Sequence, residues 1–265
     1  DACVLWRGES GINDAIRAYT QAHELEDDAN TLFRSSVAFR LRHDSGRRHP
    51  ADFQTAVQRW EQALAKNPNQ YIWRRRIQQY GPRLDKPYSF YDWVDQARRE
   101  IAARGDTPVS LAVDPYGAEL AHPVDSFTTE PPTAMSPDPD GRIQRDADSL
   151  IHSEVTLVPS RVSPGDSVRV HIALTPNIRL KSHWNNEADP LQVWVDVPDG
   201  WQVSQQLNSV TPPESQATST EVRRVDFEVQ VAANASGIVN LPVYALYFVC
   251  EDENGTCLYL RQDIA

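Results

Sequence analysis

The stretch VYALYFVCEDENGTCLYL, residues 243–260, decides how the carboxyl-terminal half of this chain folds. It is apolar and aromatic, then acidic and turn-forming, then apolar again. That pattern predicts a β-hairpin with its turn at 251–256, where Asn254-Gly255 is the strongest turn dipeptide. Cys250 ends one strand and Cys257 begins the other, so the two face each other across the ladder. Directly opposed strand residues hold their Cβ atoms roughly 4.5–5.5 Å apart, and a small adjustment reaches the disulfide range of about 3.5–4.5 Å.

Outward from the hairpin, the chain from about residue 150 alternates with period two. Strands are expected at 155–158, 167–174, 191–197, 222–231, 238–249 and 257–264, with turns such as Pro164-Gly165-Asp166 and Pro198-Asp199-Gly200 between them. Short strands at this spacing point to an antiparallel β-sandwich of immunoglobulin-like type over 150–265. The preceding stretch, 107–149, holds a short strand at 109–113 and a run rich in Pro, Thr, Ser and Asp that reads as a linker or long surface loop.

The first part, 1–106, reads as helical. Apolar residues recur at helical spacing over 12–25, with Asn13 or Asp14 as the expected cap, then over 29–41, 51–66 and 71–80, and again from 88 to Gly105. The helix over 51–66 stops at Asn67-Pro68-Asn69, as it must when proline follows. Ala56, Trp60, Ala63 and Pro68 fall at the relative positions of the second helix of a tetratricopeptide repeat, where small residues permit close packing and an aromatic fills the groove. The expected class is therefore α+β and multidomain: a tetratricopeptide-like module, then a sandwich.

At 265 residues the chain is long enough for two domains with cores of their own. A net charge of −11 disfavours nucleic acid and anionic membrane as partners. No stretch approaches the roughly 18 apolar residues that span a bilayer, so no membrane insertion is expected. A chain that begins at Asp1 is expected to be a processed or excised piece of a longer protein. Its three cysteines allow one bridge and a spare thiol, Cys3, but no disulfide scaffold.

Two segments carry a family resemblance. LKSHWNNEADPLQVWVDVPDG, residues 180–200, has a His-Trp pair, an Asn-rich turn and a strand ending in Val-Pro-Asp-Gly; the second segment is the cysteine hairpin. Together, in this order and separation, they resemble the amino-terminal periplasmic domain of the thiol–disulfide interchange protein family DsbD, over about 150–265. The resemblance implies an immunoglobulin-like fold in a periplasmic or extracellular bacterial setting. It implies that Cys250 and Cys257 take electrons from a protein partner, in the form of a thioredoxin-like domain, and pass them on. An aromatic cap over the cysteines is also implied, for which Trp184 and Tyr247 are the candidates.

The plainer reading makes Cys250–Cys257 a staple in a binding or scaffold protein, contributing about 2–3 kcal/mol by closing a short loop. Glu251, Asp252 and Glu253 favour it, because nearby anions raise a thiol pKa and slow its attack. Other chemistry is not signalled. There is no Gly-x-Ser-x-Gly, phosphate loop, His-Glu-x-x-His or calcium loop. His171 and His183 are expected to be ordinary surface or core residues, and Arg74-Arg75-Arg76 a charged outer helix face balanced by Glu61 and Asp85. Neither a metal nor a cofactor is expected.

Overall fold

The computed structural model describes residues 2–84, 93–109, 124, 126–127, 134–213, 216–252 and 255–264. The chain is α+β and divides into two units, Asp1–Val124 with Thr156–Arg161, and Asp125–Val155 with Val162–Ala265. The expected strand at 109–113 and the start of the helix expected from 88 fall largely outside the described residues.

The first unit is built from α1 (Ala2–Arg7), α2 (Ile12–Leu25), α3 (Ala29–His43), α4 (Asp52–Lys66), α5 (Tyr71–Gln78) and α6 (Trp93–Ala103). The cap expected for α2 at Asn13 or Asp14 is instead Gly11, which offers no side chain. A Cβ on Gly11 would lie 2.0 Å from the Cys3 carbonyl oxygen, so the close return of α1 dictates glycine there. Asn13 is drawn into the helix and accepts from Arg42 at 2.9 Å. Along α4, Ala56, Trp60 and Ala63 are at most 1% exposed, and Trp60 stacks on Tyr80 with ring centroids 5.9 Å apart. The short segment Thr156–Arg161 belongs to this unit. Val158 packs with Phe53, Val57 and Trp60, while the backbone N–H groups of Leu157 and Ser160 donate to Gln54 (2.9 Å) and Glu61 (2.8 Å).

The arginine run divides where an unbroken outer face was expected. Arg74 is 2% exposed, donates to the Pro68 carbonyl at 2.8 and 3.0 Å, and forms a forked pair with Glu100 at 2.6 and 3.1 Å. Glu61 is not its counter-charge, since that carboxylate is taken by Ser160.

The second unit contains two antiparallel sheets around one core. The strands are β1 (Ile151–Val158, of which Ile151–Val155 belongs to this unit), β2 (Ser167–Pro176), β3 (Ser182–Asn185), β4 (Leu191–Val195), β5 (Gln202–Val203), β6 (Leu207–Val210), β7 (Thr218–Ser219), β8 (Arg223–Gln230), β9 (Val243–Glu251) and β10 (Cys257–Ile264). One sheet has the order β1-β2-β8-β5. The other has the order β6-β4-β9-β3-β7, with β10 on the remaining side of β9. Alternation along each strand sends Val170, Ile172 and Leu174 of one sheet, and Val193, Tyr247 and Val249 of the other, into the shared core. Four short strands, β3, β5, β6 and β7, exceed what alternation predicts, because two to four residues are too few to show a period.

Residues 134–149 do not behave as the linker their composition suggests. Their first part, 136–143, lies across the outer face of the six-stranded sheet, where Ile143 packs on Trp194, Tyr244 and Leu246, and Asp146 reaches the inner-face Tyr247. Asp138 is 6% exposed; it accepts from Arg261 at 2.9 Å and from the backbone of Arg142 at 2.8 Å. Arg145 forms a parallel bridge with Arg261 and thereby shields part of the outer edge of β10. Carboxylates with several donors, buried Asp138 and half-buried Asp146, hold a segment that proline and serine alone would leave loose.

Candidate functional site

The β9–β10 hairpin forms in the expected register, with Leu258 opposite Val249, Cys257 opposite Cys250, and the pairing continuing to Ile264 opposite Val243. Past the cysteines, the Glu251 N–H donates to the Thr256 carbonyl at 3.3 Å. Antiparallel pairs alternate between bonded and non-bonded types, so Cys250 and Cys257 form a non-bonded pair, the type with the shorter Cα separation. Their Cα atoms are 3.9 Å apart and their sulfurs are joined in a disulfide. Of the predicted turn, Asn254 lies outside the described residues. Gly255 is fixed by space: a Cβ there would fall 1.3 Å from the Glu251 carbonyl oxygen.

On its other side β9 pairs with β3, and the residue opposite Cys250 is His183. Opposed residues project to the same face of a sheet. Cys257, Cys250 and His183 therefore stand in a row across three neighbouring strands on the outer face. The cysteines differ in access: Cys250 is 3% exposed, whereas Cys257 is exposed. His183 Nδ1 lies 3.3 Å from the Lys181 carbonyl oxygen. A carbonyl only accepts, so Nδ1 carries the proton of this bond and Nε2 is the nitrogen left for exchange.

His183 also lines an open depression of about 440 Å³ with Ile178, Lys181, Ser182, Thr220 and Asp252. Lys181 and Asp252 pair across it at 3.2 Å. The Ser182 hydroxyl, on a residue 1% exposed, has no hydrogen-bond partner among the described residues.

The structure does not bring Trp184 and Tyr247 to the disulfide. Both are inner-face residues, 0% and 1% exposed, in edge-to-face contact at 5.9 Å. Trp184 is opposite Val249, one residue out of phase with Cys250, and Tyr247 is three residues from it. An odd offset along a strand places a side chain on the opposite face. The aromatics beside the cysteines on their own face are Phe248 and Tyr259, opposed in register and stacked at 4.4 Å. Counting two positions along each strand from the cysteines would have found them. The His183 pairing could not be found that way, since it depends on a short strand more than 60 residues upstream.

His171 and His183 do not meet. They occupy different sheets, and His171 Nδ1 is 2.9 Å from Asp226. That contact, followed by burial opposing it and then Arg169, holds the Asp226 carboxyl below the usual range. Among the described residues no group of three or more His, Cys, Asp or Glu side chains is placed to hold a metal ion. No described helix is long and apolar enough to cross a membrane. Cys3 is half-buried against Ile12, Ala15 and Tyr19.

No family model matches this chain, and no curated protein is significantly similar to it. Among solved structures, similarity is found to Spo0M, a sporulation control protein from Bacillus subtilis, at 12% identity and a TM-score of 0.17, over 43% of this chain and 48% of that one. A FixG-related protein from Vibrio parahaemolyticus matches at 10% identity and a TM-score of 0.18, over 43% of this chain and 94% of that one. The match thus spans about half the length of the sporulation protein.

Proposed function

We propose that this chain is an extracytoplasmic thiol–disulfide relay module that exchanges electrons with a protein dithiol through Cys250 and Cys257. The observation that supports it is the asymmetry of the pair: an exposed Cys257 joined to a buried Cys250. Exchange requires one sulfur open to in-line attack, and its outcome depends on which sulfur is attacked. A partner thiolate attacks Cys257 Sγ, forming a mixed disulfide there. The Cys250–Cys257 bond breaks, and its electron pair leaves on Cys250 Sγ, which takes a proton. The partner's second thiolate then attacks the partner sulfur of the mixed disulfide and expels Cys257 as a thiolate. The partner ends as a disulfide and the pair as two thiols, after transfer of two electrons. A thioredoxin-like domain is the class of partner that supplies such a dithiol. In this reading the second unit is an immunoglobulin-type sandwich of the DsbD amino-terminal kind. The helices, with their Ala56-Trp60-Ala63 seam, are a tetratricopeptide-like docking module.

The competing reading is a structural staple, favoured by Glu251 and Asp252 beside the pair. Redox titration of the folded chain separates the two. A potential in the exchange range, about −120 to −270 mV, supports the relay, and one below about −300 mV marks a staple. Trapping with a single-cysteine thioredoxin-like domain adds the direction of attack: the relay places the mixed disulfide on Cys257.

A further inference from the structure

The row Cys257–Cys250–His183 assigns roles to two of its members under the relay reading and leaves the third unused. We infer that His183 is the proton partner of Cys250. This rests on the proposed relay and deepens it. When Cys257 is attacked, the electron pair arrives on a sulfur that is 3% exposed, where bulk water is a poor proton donor. The residue directly across the ladder from that sulfur is His183. Opposed Cβ atoms lie about 4.5–5.5 Å apart, within reach of an imidazole.

The ring is held for this task. Nδ1–H is engaged by the Lys181 carbonyl, which orients the imidazole and leaves Nε2 as the exchanging nitrogen. His183 also lines the open 440 Å³ depression, so the proton can be replenished from water. On reduction, the imidazolium passes its Nε2 proton to the departing Cys250 sulfur and is left neutral with its proton on Nδ1; on reoxidation, Nε2 takes that proton back as Cys250 Sγ attacks. Proton and electron pair move together, and no further reactant is needed. The other charged groups on the elements around Cys250 are Lys181 and Asp252, paired with each other at 3.2 Å, Glu251 on β9, and Arg261 and Asp263 on β10, paired with each other at 2.7 Å; Tyr259 also lies on β10. With Lys181 and Arg261 each engaged by an aspartate, His183 is the cation source that can favour a Cys250 thiolate.

The test uses the full chain, wild type and His183→Gln, reduced with dithiothreitol under native conditions and alkylated with iodoacetamide over a pH series. Cleavage after the acidic turn residues separates Cys250 from Cys257, so each thiol is read by its own peptide mass. The expected result is a Cys250 alkylation midpoint about 1 pH unit or more lower in the wild type than in His183→Gln, with Cys257 far less affected. A buried side chain that merely packs would not move one thiol's midpoint and spare the other. Equal Cys250 midpoints in two folded proteins overturn the assignment of His183 and leave the relay standing. If dithiothreitol cannot open the disulfide in the folded wild type, both fall together. Should His183→Gln fail to fold, wild-type NMR decides: coupling requires the His183 ring to titrate at different pH in the disulfide and dithiol forms, and identical curves overturn it.

Discussion

The phenol of Tyr247 donates to Asp146 Oδ2 at 2.7 Å and fastens the central strand β9 to the segment that crosses its sheet. The same carboxylate accepts from the backbone N–H groups of Leu150 (3.0 Å) and Ile151 (3.1 Å) at the start of β1. Burial, then the hydrogen bond to Asp146, then its charge push the Tyr247 phenol well above the ordinary tyrosine range. A group whose folded pKa is raised stabilises the protein below its unfolded pKa. That contribution is lost as pH rises above about 10, where the unfolded tyrosine ionises. Tyr247→Phe is therefore expected to cost about 1.5–3 kcal/mol at neutral pH, the range for a hydrogen bond to a charged group. In denaturant titrations that difference should shrink steadily above pH 10. A gap unchanged between pH 7 and 11 would contradict the assignment.

Asp138 and Arg261 form the second attachment of this segment. Burial raises the Asp138 carboxyl, but Arg261 and the N–H groups of Arg142 and Ile143 outweigh it, and the net direction is down. A depressed carboxylate stabilises above its unfolded pKa, so this contribution is complete at neutral pH and is lost as pH falls below about 4. Arg261→Gln removes the charged donor of a buried carboxylate that keeps its backbone donors, and should cost about 1.5–3 kcal/mol. Limited proteolysis should then cut within 134–149 first, whereas wild-type protein at pH 7 resists cleavage there.

Gly255→Ala should destabilise by about 1–3 kcal/mol, since its Cβ cannot share space with the Glu251 carbonyl and the turn must open. Thermal melts of the oxidised protein would show this. An unchanged melting temperature would mean that the turn relaxes without resistance.

Arg74→Ala in the helical unit should cost about 3–5 kcal/mol, because the Pro68 carbonyl and Glu100 both lose their buried partner. Arg76→Ala, which among the described residues removes an exposed contact to Gln79, should stay within about 0.5 kcal/mol. Equal effects of the two, measured by urea unfolding, would return the arginine run to a uniform outer face.

Much of the architecture was legible from periodicity alone. The helices over 12–25, 52–66 and 71–78, and the long strands β2, β8, β9 and β10, carry enough residues to display their period. The hairpin and its disulfide followed from turn chemistry and opposition across a ladder. Face was harder to read than pairing. Trp184 and Tyr247 stand close to the cysteines in sequence, yet one step along a strand reverses a side chain, and both fill the core. Residues 134–149 misled for a different reason: composition reports what a segment lacks, whereas Asp138 and Asp146 anchor it through donors scattered from 142 to 261. His183 stands opposite Cys250 through a pairing that no local pattern encodes.

The ladder between β9 and β10 runs unbroken from Ile264 and Val243 to the cysteines, and β9 is gripped on its other side by β4 and then β3. Joining or parting two sulfurs at the tip of such a ladder leaves the strands where they are. The oxidised and reduced chains would then present almost the same surface to whatever meets them. A visitor would have to distinguish them by sulfur chemistry at Cys257, not by contour.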